Sequence, residues 1–308
     1  MFGPQYELSV AAALGVTTGE PHWRVYQSRL LGPYLVKAVS LATGSFTVAH
    51  ALCTIVLLGA SGFLVLAFLR RQRGTGWHAL AGYFAFVFLV VCCFQRPWLY
   101  IWDFTGLLVF VLFNQFVAQR RGYRWFCALF LLALLDRETA GFIALWMILD
   151  PLVRVVLARR PDGSRGAFDL KMAGSGIALL GGGIALVEFL RSALLVREVG
   201  PSLVGPVRGA GPSFHTMLPE NIDQLVVALT SFRYSLSFLI PLLLAAYAAF
   251  AVRVAWRDPP ERTAVAAVHL LMLASLAVFG ILFETRVYLI LLPFVVFNLG
   301  PRSAVSLP

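Results

Sequence analysis

A chain that sets one apolar run of about 20 residues after another, with short polar gaps, has few ways to fold, because each run is long enough to cross a bilayer as a helix. Such runs occupy residues 48–69, 78–94, 100–118, 172–196, 234–254 and 263–282, with a shorter one at 286–300. Inside lipid every backbone N–H and C=O must find a partner within the protein, which leaves helices and closed barrels. Runs of this length suit helices. The expected fold is an all-α, polytopic integral membrane bundle in one domain spanning 1–308. With 59% hydrophobic and 13% charged residues, the chain is far from the balance of a soluble domain.

The stretch 125–156 sharpens the topology. It is apolar but interrupted by Asp136-Arg137-Glu138-Thr139. As one helix it would reach about 48 Å, too long for an ordinary span. Two short helices broken at the polar cluster are expected instead, giving about nine membrane segments. Charge supports the break. Arg70, Arg71 and Arg73; Arg120, Arg121 and Arg124; Arg154, Arg159, Arg160, Arg165 and Lys171; Arg253, Arg257 and Arg262; and Arg302 make up more than half of the 25 basic residues. With the broken pair counted as two segments, all of them fall on one face, the cytoplasmic one. The N-terminus is then outside and the C-terminus inside.

The other face holds residues 1–47, the 95–99 and 136–139 turns, the 197–233 loop and the 283–286 turn. The 197–233 loop, rich in Gly and Pro, is expected to be irregular. Residues 30–41, with Pro33 and Lys37, suit an amphipathic helix on the membrane surface. Residues 1–20 lack a basic start and a long apolar run, so no cleavable signal is visible. They resemble the tail of an outer loop, and a leading transmembrane helix before Met1 is expected; simple translocation of the N-terminal tail is the rival.

Ionisable groups at membrane depth are costly and are usually paired, solvated or functional. Here they concentrate at the outer ends: Glu20 and His22, Arg29, Arg96, Asp103, Asp136, Arg137 and Glu138, then Glu284 and Arg286. The inner ends show basic anchors and little else. Arginines bind phosphate through a planar fork of donors, and a carboxylate beside them can act as a base or hold a metal-bound diphosphate. Plainer roles stay open. Asp103 fits a helix cap or a partner for Arg96, Arg29 an interface anchor, and Arg137 and Glu138 the polar needs of a broken helix. Glu188 and Arg191 fit an intrahelical pair, Asn114 and Gln115 interhelical hydrogen bonds, and Gly181-Gly182-Gly183 a close helix contact or kink.

Other classes find little support. The net charge of +10 fits loops that meet anionic lipid heads, and no Lys/Arg run outside the short loops calls for nucleic acid. Cys53, Cys92, Cys93 and Cys127 sit in apolar runs without metal-ligand spacing. Phosphate-loop, dinucleotide and zinc-hydrolase motifs are missing.

Three stretches together resemble a family. Tyr26-Gln27-Ser28-Arg29-Leu30-Leu31-Gly32-Pro33 is similar to the Tyr-x-x-Arg-x-Leu-x-Pro stretch of bacterial membrane glycosyltransferases of the GT-C superfamily. Leu134-Leu135-Asp136-Arg137-Glu138-Thr139 is similar to their Asn-Arg-Glu-Thr turn, and Glu284-Thr285-Arg286 with Pro293 to a late Glu-x-Arg element followed by Pro. Asp103 matches an acidic residue at the start of an intervening span. The resemblance implies an inner-membrane enzyme that moves a sugar from a polyprenyl-phosphate carrier to an envelope acceptor at the outer face. Arg29, Arg137 and Arg286 would hold the lipid phosphate, Glu138 and Glu284 would orient those arginines or the acceptor, and Glu20 or Asp103 would be the base. A divalent cation is left open as a cofactor, and envelope-assembly proteins as partners. Two alternatives stand beside it: a multi-span transporter or lipid flippase, and a non-catalytic subunit of a polysaccharide assembly complex.

Overall fold

The computed structural model describes residues 4–19, 28–73, 76–94, 99–157, 168–194, 216–230, 235–257, 260–282 and 284–298. Among them there is no strand. The helices are α1 (Pro4–Thr18), α2 (Leu31–Thr43), α3 (Phe46–Arg73), α4 (Trp77–Cys93), α5 (Ile101–Ala118), α6 (Tyr123–Leu134), α7 (Gly141–Leu157), α8 (Leu170–Leu194), α9 (Leu218–Thr230), α10 (Ser235–Arg257), α11 (Pro260–Phe279) and α12 (Leu292–Asn298). Short 3-10 turns at Glu138–Ala140 and Thr285–Ile290 precede α7 and α12. Five helical stretches are long and apolar enough to cross a membrane: Phe46–Gln72, Ile101–Ala118, Glu138–Leu157, Leu170–Leu190 and Arg262–Phe279.

The break expected near Asp136 is present. α6 stops at Leu134 and α7 starts at Gly141, and the chain reverses between them. Phe126, early in α6, lies 4.4 Å from Trp146 in α7. α8 seals this hairpin. A Cβ on Gly183 would come within 2.7 Å of the Phe130 ring, and one on Gly176 within 2.8 Å of the Ala144 carbonyl oxygen. The triple-glycine run therefore serves a close helix contact at Gly183, while Gly181 and Gly182 face open space.

α5 is the axis of the bundle. Of its span 72% is buried, against 22% for α8. Lipid is as apolar as a leucine side chain, so packing contacts rather than water exclusion hold such helices together. The aromatic residues supply them: Phe113 meets Phe126, Trp146 and His269, and His269 stacks on Phe294 at 4.4 Å. His269 donates from Nδ1 to the Val265 carbonyl at 2.8 Å, as a core residue does.

Several expectations need correction. α1 was not foreseen; Val10, Ala12, Ala13 and Val16 are buried, and Lys37 of α2 donates to Thr17 O at its C-terminal end. α2 follows the foreseen amphipathic stretch, burying Gly32, Pro33 and Val36 and ending at Gly44, whose φ of 68° suits glycine. Part of the loop expected to be irregular is α9, pinned by Asn221, whose Nδ2 donates to Ala277 O (2.8 Å) and Gly280 O (2.7 Å). Asn114 donates to Phe110 O of its own helix rather than across helices. At the Arg-rich end of α7, Asp150 is buried and accepts from Arg154 Nε at 2.6 Å, so that end holds more than basic anchors.

Candidate functional site

Four separated parts of the chain meet at the first turn of α5: residues 28–31, 100–106, 135–138 and 284–290. Backbone ties fix the arrangement. Leu31 N–H donates to Leu135 O at 2.7 Å, joining the start of α2 to the α6–α7 break. Gly32 lies so close to α5 that a Cβ would sit 2.9 Å from Ile101 Cγ2. A Cβ on Gly106 would meet Asp136 Oδ2 at 3.3 Å and Ile290 Cγ2 at 3.4 Å, so the missing side chain lets the break and the late turn close on α5 together. Thr285 Oγ1 donates to Cys93 O at 2.8 Å and anchors the late turn to the end of α4.

Asp103 is the hub. Tyr100, at the N-cap of α5, has extended backbone and donates its N–H to Asp103 Oδ2 at 2.8 Å. Arg137 Nη2 pairs with Oδ1. Arg286 Nη1 reaches Oδ2 at 3.4 Å and Oδ1 at 3.5 Å. The Asp103 side chain is fully buried, with Arg137 at 10% and Arg286 at 13% exposure and Glu284 at 28%. Charge is thus layered from a sealed carboxylate outwards. Glu284 Oε2 accepts from Arg286 Nη2. The helix cap that the sequence offers for Asp103 is present, and its ion-pair partners are Arg137 and Arg286; Arg96, the partner expected from sequence, lies outside the described residues.

Asp136 completes the inner layer. It is buried, accepts from the Thr105 hydroxyl, and lies 4.0 Å from Arg137 Nε. Arg29 lies over the Trp102 ring, its Cζ 5.3 Å from the centroid. Glu138 is exposed, and its Oε1 accepts from Ser28 Oγ at 3.1 Å.

The structure therefore brings Arg29, Asp103, Arg137, Glu138, Glu284 and Arg286 to one end of the bundle. One role changes: Asp103, clasped by two guanidinium groups and a backbone amide, holds arginines and is shielded from an incoming hydroxyl, unlike a base. Glu20, His22 and Arg96 lie outside the described residues, as does the side chain of Arg191. Asp136 stands out in the sequence as a charged residue at the break but without a role, and Thr105, Tyr100 and Trp102 do not stand out. The spacing of Thr105 two residues after Asp103, and the aromatic residues flanking an acidic one at a helix start, were the available signals. Among the described residues no group of three His, Cys, Asp or Glu side chains could hold a metal ion.

Comparison with family models, curated proteins and solved structures finds no match for this chain. Its chemistry is therefore read from the site itself. Arg137 and Arg286 are held by the buried Asp103 carboxylate and Arg29 lies over Trp102, a set of N–H donors of the kind that can bind an anion.

Proposed function

We propose that the protein is an integral membrane glycosyltransferase of the GT-C type. It moves a sugar from a polyprenyl-phosphate-linked donor to an envelope acceptor at the extracytoplasmic face of a bacterial inner membrane. The observation that carries this reading is the convergence of Arg29, Arg137 and Arg286, from three distant parts of the chain, on the first turn of one apolar helix. Counting the shorter apolar helices Trp77–Cys93, Tyr123–Leu134, Leu242–Trp256 and Thr285–Asn298 with the five long ones supports about nine segments, N-terminus outside and C-terminus inside.

Depth supports a lipid-borne substrate. α6 has 12 residues, so it rises only about 18 Å from its Arg-rich end. The hydrocarbon layer is about 30 Å thick, which sets the break roughly 10 Å below the outer boundary. A polyprenyl phosphate, whose tail stays in the bilayer, can place its head group in such a recess.

The step is an inverting displacement. A carboxylate takes the proton of the acceptor hydroxyl, the oxygen attacks the anomeric carbon, and the bond from that carbon to the phosphate oxygen breaks. The electron pair leaves with the polyprenyl phosphate. Arg137 and Arg286, oriented by Asp103 and Glu284, meet the charge on the departing phosphate. Asp103 is the positioning group; the base falls to Glu20.

The test is transfer by the purified protein from polyprenyl-phosphate sugars. Arg137→Ala is expected to lower the rate about a hundredfold, as loss of one fixed donor to a developing oxyanion does. Glu284→Gln, which loosens Arg286, is expected to cost about tenfold. Undiminished transfer in both variants sinks the assignment. Activity that appears only with a partner protein favours the subunit reading.

A further inference from the structure

The segment that supplies Asp103 also supplies two aromatic rings, and both are buried: Tyr100 to 7% and Trp102 to 0% exposure. Residues two apart on a helix point away from each other. Here the extended backbone of Tyr100 at the N-cap swings its ring back, and the two rings stack at 4.6 Å with 14° between their planes. Each ring carries an arginine. Arg286 Cζ is 4.7 Å from the Tyr100 centroid, and Arg29 Cζ is 5.3 Å from the Trp102 centroid.

We propose that Tyr100 and Trp102 are positioning residues: a stacked aromatic spacer that orients the Arg29 and Arg286 guanidinium groups for a phosphate-bearing head group. This rests on the phosphate-lipid reading above.

The chemistry favours rings in this place. A carboxylate that orients a guanidinium also neutralises it and occupies its N–H donors. An aromatic face orients the same group through its quadrupole and takes up none of those donors. Arg286 is held in both ways, by Asp103 and Glu284 at its edge and by Tyr100 at its face. The spacer also links two arginines that share no backbone connection, one from before α2 and one from the turn before α12. Because the rings belong to the first turn of α5, their separation is tied to the hub carboxylate.

The experiment has two readouts on the full-length protein in nanodiscs. The first is labelling of arginines by an arginine-selective dicarbonyl reagent, followed by mass spectrometry, with no lipid ligand added. The second is binding of a polyprenyl monophosphate, with the matching polyprenol as control. Tyr100→Leu is expected to raise labelling of Arg286 and Trp102→Leu that of Arg29, each several-fold, with Arg124 unchanged. Both are expected to weaken monophosphate binding about tenfold, within the range of a desolvated cation–π contact. Trp102→Phe and Tyr100→Phe are expected to restore labelling and binding to within about threefold, since the ring face is what matters. Unchanged labelling in both leucine variants overturns the spacer, as does failure of phenylalanine to restore either readout. If the wild type binds monophosphate no better than polyprenol, the lipid-phosphate reading falls, and the labelling still decides the spacer. Should Trp102→Leu fail to fold, Tyr100→Leu and the two phenylalanine variants carry the test.

Discussion

Replacing Asp103 by asparagine probes the hub without changing its shape. Arg286 Nη1 lies 3.4 Å from Asp103 Oδ2. At an effective dielectric constant of about 20, a full charge pair at that distance interacts by about 5 kcal/mol. The groups are too buried for bulk water to replace the carboxylate: Arg137 is 10% exposed and Arg286 13%. Removing one partner of a buried pair costs about 3–5 kcal/mol, since the other charge stays behind uncompensated. Asparagine also turns one acceptor into an N–H donor facing a guanidinium. We expect Asp103→Asn to destabilise the protein by about 4 kcal/mol, measured by denaturant or thermal unfolding in detergent. A double-mutant cycle separates the two arginines. Arg286 keeps Glu284 when Asp103 is neutral, whereas the nearest carboxylate left to Arg137 among the described residues is Asp136, 4.0 Å away. Coupling of Asp103 to Arg137 should therefore approach about 3 kcal/mol and coupling to Arg286 about 1 kcal/mol, both within the span seen for contacting residues. A loss below about 1 kcal/mol in Asp103→Asn, or the reverse order of couplings, would refute the hub.

Asn221→Ala removes three hydrogen bonds that tie α9 to the end of α11: those to Ala277 O and Gly280 O, and that from Leu282 N–H at 3.1 Å. At about 1 kcal/mol each the expected loss of stability is about 3 kcal/mol, and a drop below about 1 kcal/mol would show that α9 is not held there. For topology, single cysteines in a background without Cys53, Cys92, Cys93 and Cys127 give a direct reading. Ala42→Cys, exposed at the end of α2, should react with a membrane-impermeant maleimide in intact cells, and Gly122→Cys, exposed between α5 and α6, only after permeabilisation; the opposite pattern inverts the assignment of faces.

The all-helical, apolar character of the chain and the break were legible in the sequence because both follow from local arithmetic. A run of about 20 apolar residues has one use in a chain like this, and a 32-residue run with four polar residues in its middle has to turn back. Arg29, Arg137 and Arg286 were legible as candidates because charge in an apolar run is conspicuous. What joins them was not. Asp136 was overshadowed by its charged neighbours, and its bond to Thr105 needs the α6–α7 turn to be laid against α5, a contact that depends on Gly106. The Tyr100–Trp102 stack arises from an extended N-cap that no two-residue spacing announces. α9 escaped because Asn221 finds its partners near residue 280, far along the chain, so its neighbourhood reads as a loop when taken alone.

The described cluster holds three arginines and four carboxylates, so it does not draw an anion by net charge. Its attraction has to come from direction. Asp103 and Asp136 are sealed beneath the arginines, and Glu284 lies to the side of Arg286. Asp103 and Glu284 fix where Arg137 and Arg286 point, and a fixed donor loses less freedom on binding than a mobile one. Such a site suits a ligand with few charges and a defined geometry, already delivered to the right depth by its own lipid tail. A phosphodiester between a sugar and a polyprenol carries one negative charge and arrives in that way. A free, highly charged phosphate in water would be better served by an open basic surface. On the proposed reading, the excess of carboxylates, which at first weighs against phosphate binding, is therefore what favours a membrane-borne monoester or diester.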